Sequence, residues 1–168
     1  AITATPATGY DFSHWDGYGP DSNTSASTNL TIQQDHAIVA VFTPLAYALE
    51  TAATVGGNSG IVESSPYLFD SNYTLFANPK FGYNFSHWDS PSGSLSLLAN
   101  QNASVSTVLV QGDASYNAYF SLITYNLSVS MDTGGMTVSP ASGNFSALSH
   151  VSVSAIPLAG YNFAGWID

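Results

Sequence analysis

The chain has 168 residues, 45% of them hydrophobic, which is enough apolar material to build a core and argues against disorder. One Lys, no Arg and eleven carboxylates give a net charge of −10, so almost nothing on the surface can neutralise phosphate; nucleic acid and anionic membranes are excluded as partners. With no Cys there is no disulfide framework, no thiolate zinc site and no thiol nucleophile.

In chain order, the first element is Ala4-Thr5-Pro6 leading into Gly9-Tyr10-Asp11-Phe12-Ser13-His14-Trp15-Asp16, with turn chemistry at Gly17-Tyr18-Gly19-Pro20. Leu30 with Ile32, and Ile38 with Ala40 and Phe42, alternate with other residues at period two and are predicted strands. Alternation resumes at Tyr47, Leu49 and Thr51, turns at Gly56-Gly57, and continues at Tyr73, Leu75 and Ala77. Ala77-Asn78-Pro79 and Gly82-Tyr83-Asn84-Phe85-Ser86-His87-Trp88-Asp89 follow, then Val108 with Val110, a turn at Gly112-Asp113, and Tyr116, Ala118 and Phe120. The last stretch has Leu127, Val129 and Met131, a Gly134-Gly135 turn, and Val151, Val153 and Ala155. It ends in Ala155-Ile156-Pro157 and Gly160-Tyr161-Asn162-Phe163-Ala164-Gly165-Trp166, with Asp168 shifted by one. No window carries a helical stripe, and no apolar run approaches the roughly 18 residues of a membrane span. There is no basic-then-apolar leader, so any signal peptide or anchor is expected outside these residues.

The motif glycines are 73 and 78 residues apart. The 78-residue offset also maps Tyr47, Leu49 and Gly56-Gly57 onto Tyr125, Leu127 and Gly134-Gly135, and Asp35, Ala40 and Phe42 onto Asp113, Ala118 and Phe120. The difference places five extra residues in the second copy's loop around Ser90 to Asn102. The chain therefore divides into the back part of a repeat unit (1–46), a complete unit (47–123) and the front part of another (124–168). In each motif the proline (Pro6, Pro79, Pro157) ends a strand by removing a ladder donor, and the glycine (Gly9, Gly82, Gly160) permits a positive φ. The aromatics Tyr10, Phe12 and Trp15, Tyr83, Phe85 and Trp88, and Tyr161, Phe163 and Trp166 are expected to supply most of each core. The fold class is all-β: tandem small β-grasp-like or sandwich-like units of about 78 residues.

Residues 131–140, with Gly134-Gly135 and Thr137-Val138-Ser139-Pro140, and residues 151–166, with Ala-x-Pro and Gly-Tyr-x-Phe-x-x-Trp, resemble the divergent internalin-B-type B repeat, a bacterial and archaeal extracellular module. The similarity covers nearly the entire chain. It implies a compact β-grasp-like unit, strung as a stalk or spacer in surface proteins, with no catalytic residues to carry over.

Other patterns are weaker. Asp132-Thr133-Gly134 spells an aspartic-protease core, but such enzymes need two carboxylates and the preceding unit has Thr54 at the equivalent position; a turn is the better reading. His14 with Asp16 and His87 with Asp89 offer two ligands per unit, too few for a metal site, and are read as structural. His36 and His150 have no matching partners. The loop from Asp16 to Asp21 has oxygen ligands but no defined calcium spacing. Lys80 is not repeated, its counterparts being Ala7 and Leu158, and is read as a solvated lysine. Tyr18, Tyr67 and Tyr119 are the least obviously buried tyrosines and could face a sugar. Asn-x-Ser/Thr sequons at Asn23, Asn29, Asn72, Asn102, Asn126 and Asn144 are candidate glycan acceptors; a seventh, Asn84, lies inside the aromatic motif and is the least suited.

The reading is a non-enzymatic structural module of an extracellular fibre, stalk or surface layer at the cell surface, with no cofactor and no metal. Its expected partners are neighbouring copies or repeats of the same protein, with half-units completing one another head to tail. The alternative is an adhesin or carbohydrate-binding module contacting surface glycans. Low charge is expected to keep it folded in acid.

Overall fold

The computed structural model of the chain describes residues 1–94 and 97–167; Asp168 and part of the inserted loop lie outside the described residues. Sixteen strands are named among them. Residues 1–44 hold β1 (Ile2–Thr3), β2 (Tyr10–Asp16), β3 (Ser27–Thr28) and β4 (Val39–Pro44). The middle stretch holds β5 (Ala46–Tyr47), β6 (Leu49–Ala53), β7 (Gly57–Ile61), β8 (Tyr67–Leu68), β9 (Asn72–Pro79), β10 (Tyr83–Ser92), β11 (Val105–Leu109) and β12 (Ala114–Leu122). Then come β13 (Thr124–Ser128), β14 (Gly135–Ser139), β15 (Ser142–Ser146) and β16 (Ser154–Pro157).

The middle stretch shows the unit whole. One sheet has the order β10-β12-β6, and the other is β11-β9-β7. β12 lies antiparallel to β10 and parallel to β6, with Ala114 opposite Leu49 and Ala118 opposite Ala53. The period-two pattern explains what lies between the sheets: Leu75 and Ala77 share one face of β9, Ala114, Tyr116 and Ala118 share one face of β12, and the two faces turn toward each other and are buried. They meet Leu49, Trp88, Leu98, Val108 and Val110 in one cluster, giving the sandwich-like core expected from sequence. Tyr116 keeps its hydroxyl satisfied by donating to the Ser94 carbonyl at 3.0 Å, and burial raises its pKa.

The flanks carry complementary subsets of this plan. β2 pairs β4 as β10 pairs β12, and β14 pairs β16 as β7 pairs β9. Three expected strands are shorter or missing there. Around Leu30 and Ile32 only β3 and an isolated Pro20–Leu30 bridge form, and Ile32 is exposed. Val129 and Met131 lie past the end of β13, and Val151 and Val153 precede β16. Each falls where the middle unit has a neighbouring strand, and none stands in that place among the described residues.

Candidate functional site

The Gly-Tyr-x-Phe-x-x-Trp motif is organised by a repeated irregularity. Pairing slips between Phe12 and His14 in β2 and between Phe85 and His87 in β10. The extra residue, Ser13 or Ser86, resets the alternation, so that a Phe and a Trp three positions apart share one face. The rings then sit 5.4 Å apart in Phe12–Trp15 and 5.7 Å apart in Phe85–Trp88. Phe42 and Phe120 pack edge-on against those phenylalanines at 6.0 and 5.9 Å.

Each tryptophan is also fastened by hydrogen bonds at equivalent positions. The Trp15 indole Nε1–H donates to the Ser25 carbonyl and that of Trp88 to the Ala103 carbonyl, both at 2.9 Å. Their backbone N–H groups donate to Asn23 and Gln101 carbonyls at 2.7 and 2.8 Å. Trp15 is 8% exposed and Trp88 1%. The third copy departs from the expected core role: Tyr161, Phe163 and Trp166 are 57%, 51% and 48% exposed. Phe163 and Trp166 still pair at 5.4 Å, but no strand among the described residues pairs with their segment as β12 pairs with β10 at Trp88.

The motif tyrosine explains the Gly-Gly turn, which sequence reasoning read as a turn alone. A Cβ on Gly56 would lie 2.3 Å from the Tyr83 ring, and one on Gly134 would lie 2.6 Å from Tyr161. Gly57 is likewise pressed by Phe120, at 2.2 Å. The glycines are seats for aromatic rings.

The motif glycines have φ of 83°, 85° and 88° at Gly9, Gly82 and Gly160, as their residue type requires. Pro79 and Pro157 are the last residues of β9 and β16, whereas Pro6 lies outside any strand. Gly9 and Gly82 also build the joint between successive units, which sequence reasoning missed. Leu45 N–H donates to the Gly9 carbonyl and Phe69 N–H to the Leu45 carbonyl, both at 2.8 Å. At the next joint Ile123 N–H donates to the Gly82 carbonyl at 2.9 Å and Ala147 N–H to the Ile123 carbonyl at 2.7 Å. The residue that follows has positive φ both times, 57° at Asp70 and 64° at Leu148. Tyr10 meets Phe69 edge-on at 5.7 Å across the first joint, and Ala147 and Leu148 close over Gly82 across the second. The only sequence signal for this geometry is the lone apolar connector, Leu45 or Ile123, between units.

The remaining candidates fall as follows. His14 and His87 bond their neighbours, Ser13 and Ser86, through Nδ1 at 3.0 and 2.9 Å, and His87 stacks on Tyr119 at 4.8 Å. No group of three or more His, Cys, Asp or Glu that could hold a metal occurs among the described residues. Asp132 makes a turn, its Oδ1 accepting from Gly134 N–H at 3.0 Å. Lys80 is exposed. Tyr67 is half-buried edge-on against Tyr73 at 5.0 Å, whereas Tyr18 is 84% exposed. Asn23, Asn29, Asn72, Asn102, Asn126 and Asn144 are all exposed, with Asn126 Nδ2 donating to Asn144 Oδ1 across β13 and β15 at 3.2 Å. Asn84 is exposed too, since it points away from the core on β10; lying within the motif does not hide it. No helix among the described residues is long and apolar enough to cross a membrane.

No curated protein and no solved structure was found to match the chain. The family model for the divergent InlB B-repeat domain matches it three times, over residues 1–46, 47–124 and 125–168, and together these cover the whole chain. With its motif, turns and joints recurring in step, this all-β repeat protein belongs to the divergent InlB B-repeat family.

Proposed function

We propose that the chain is a structural repeat module of an extracellular fibre, stalk or surface layer, and that its work is to hold successive units at a fixed spacing and orientation. The observation that carries this is the joint: the same two backbone hydrogen bonds, the same connector position and the same left-handed residue recur at Gly9–Leu45–Phe69 and Gly82–Ile123–Ala147. In a solenoid-like array each added unit inherits the geometry of the last, so a reproducible joint yields a regular rod.

The partial units fit this role. β6 runs along one edge of β12 in the middle unit, and the matching edge of β4 has no such strand beside it among the described residues. Residues 127–131, the counterpart of β6, lack a strand corresponding to β12. Adjoining repeats, from the same protein or a neighbouring copy docked head to tail, would cover both edges. Immunogold electron microscopy of source cells, using antibody raised against the 168-residue chain, tests the proposal. Gold along surface filaments, stalks or a surface layer is expected; gold confined to the cell interior overturns it.

A further inference from the structure

We propose that the cleft between residues 17–23 and 31–36 is a binding site for a neutral saccharide, a capacity beyond spacing. Its centre is Tyr18, a residue 84% exposed. The backbone that presents it is fixed. Gly17 and Gly19 have φ of 111° and 124°; a Cβ on the first would lie 2.5 Å from the Ala37 carbonyl oxygen, and one on the second 2.6 Å from Leu30 Cδ1. The His36 Nδ1–H donates to the Tyr18 carbonyl at 3.0 Å, Asp21 N–H to the Asn29 carbonyl at 2.9 Å, and Ser22 N–H to Thr28 Oγ1 at 3.0 Å. An aromatic held outward by a locked loop loses little entropy on binding.

The rest of the lining selects the ligand. Asp21, Asn23, Thr31, Gln33 and Gln34 surround the cleft with amides, a hydroxyl and a carboxylate. Sugars offer that complement: C–H faces that lie on an aromatic ring, and hydroxyls that both donate to a carboxylate and exchange hydrogen bonds with amides. Asp21 and the net charge of −10 disfavour acidic polysaccharides. The middle unit is built differently here. Its loop is five residues longer, and Leu98, at the position matching Pro20, is 7% exposed within the core. Binding is therefore a property of residues 1–46 and not of every repeat.

The test is affinity electrophoresis of the 168-residue chain, made in a host that does not glycosylate it. Native gels would contain mannan, galactomannan, xyloglucan or mixed-linkage β-glucan, and calorimetry would use oligosaccharides of whichever polymer retards the protein. Retardation in at least one gel is expected, with Tyr18→Ala weakening affinity roughly tenfold or more, Tyr18→Trp retaining it, and Gln33→Ala with Gln34→Ala weakening it. Tyr125→Ala, at an exposed ring outside the cleft, is expected to change nothing. Passage through all four gels unretarded, or retardation that Tyr18→Ala leaves intact, overturns the proposal. Either failure leaves the spacer reading standing, since that rests on the joints.

Discussion

Replacing each tryptophan with alanine separates packing from display, because the three copies of the motif differ in cover. Trp88 is 1% exposed, belongs to the core cluster of its unit and donates its indole N–H at 2.9 Å. Truncating such a residue costs roughly 3–5 kcal/mol, a large part of the ~5–15 kcal/mol that stabilises a whole domain. Trp166 is 48% exposed and its only described ring partner is Phe163, so Trp166→Ala is expected to cost about 1 kcal/mol or less. Trp15, 8% exposed with its indole bond intact, falls between them. Urea denaturation followed by far-ultraviolet circular dichroism measures all three, and at a slope of ~1–3 kcal/mol per molar urea the midpoint of the Trp88 variant should fall by about 1–5 M. A cost of about 1 kcal/mol or less for Trp88→Ala, no larger than that for Trp166→Ala, would refute the assignment of Trp88 to the core.

Gly57→Ala should destabilise the middle unit by about 1–3 kcal/mol, because its Cβ lands 2.2 Å from Phe120 Cζ, while Gly112→Ala, with nothing within 4 Å, should stay within about 0.5 kcal/mol of wild type in the same titration. The Ser59 hydroxyl is buried without a hydrogen-bond partner, so Ser59→Ala is expected to raise the thermal midpoint, and a fall would show that the hydroxyl is satisfied in solution. Thr74 N–H, at 2.8 Å, holds the Glu63 carboxyl below its ordinary value. A lowered folded pKa adds stability that is present above the unfolded value of 4.5 and is lost as pH falls through the folded one. The stability gap between wild type and Glu63→Gln should therefore be constant near neutrality and narrow in acid; a gap independent of pH down to about 2 would contradict it.

Much of this architecture is legible in the residues, for physical reasons. Period-two alternation marks β9 and β12 because one face of each meets a core, and the spacing of proline, glycine and aromatics exposes the repeat. Alternation reports a face, however, and a strand also needs an edge partner, which is a non-local matter. Leu30 with Ile32, Val129 with Met131, and Val151 with Val153 have the pattern without the partner, and strands there are cut short. The bulges at Ser13 and Ser86 are visible only as an odd interval between Phe and Trp, uninterpretable until the pairing is known. The joint is harder still, since it is made by backbone groups of Gly9, Leu45 and Phe69, whose side chains say nothing of those hydrogen bonds. The sequence sets Tyr18 beside Tyr67 and Tyr119 as the least obviously buried tyrosines, but a histidine without a repeated counterpart gives no sign that His36 fastens the Tyr18 loop.

The chain has no cysteine, so pairs of spin labels can be introduced cleanly on exposed strand residues of successive units: Asp11→Cys with Thr107→Cys across the first joint, and Thr107→Cys with Thr137→Cys across the second. Fixed joints give one narrow distance distribution for each pair in double electron–electron resonance, and Gly9→Val, whose Cβ would overlap the Phe69 ring at 2.3 Å, broadens the first pair alone. Broad distributions for both pairs in the otherwise wild-type chain would mean that the units swing freely, and the molecule would then be a string of loosely tethered beads in place of a rod.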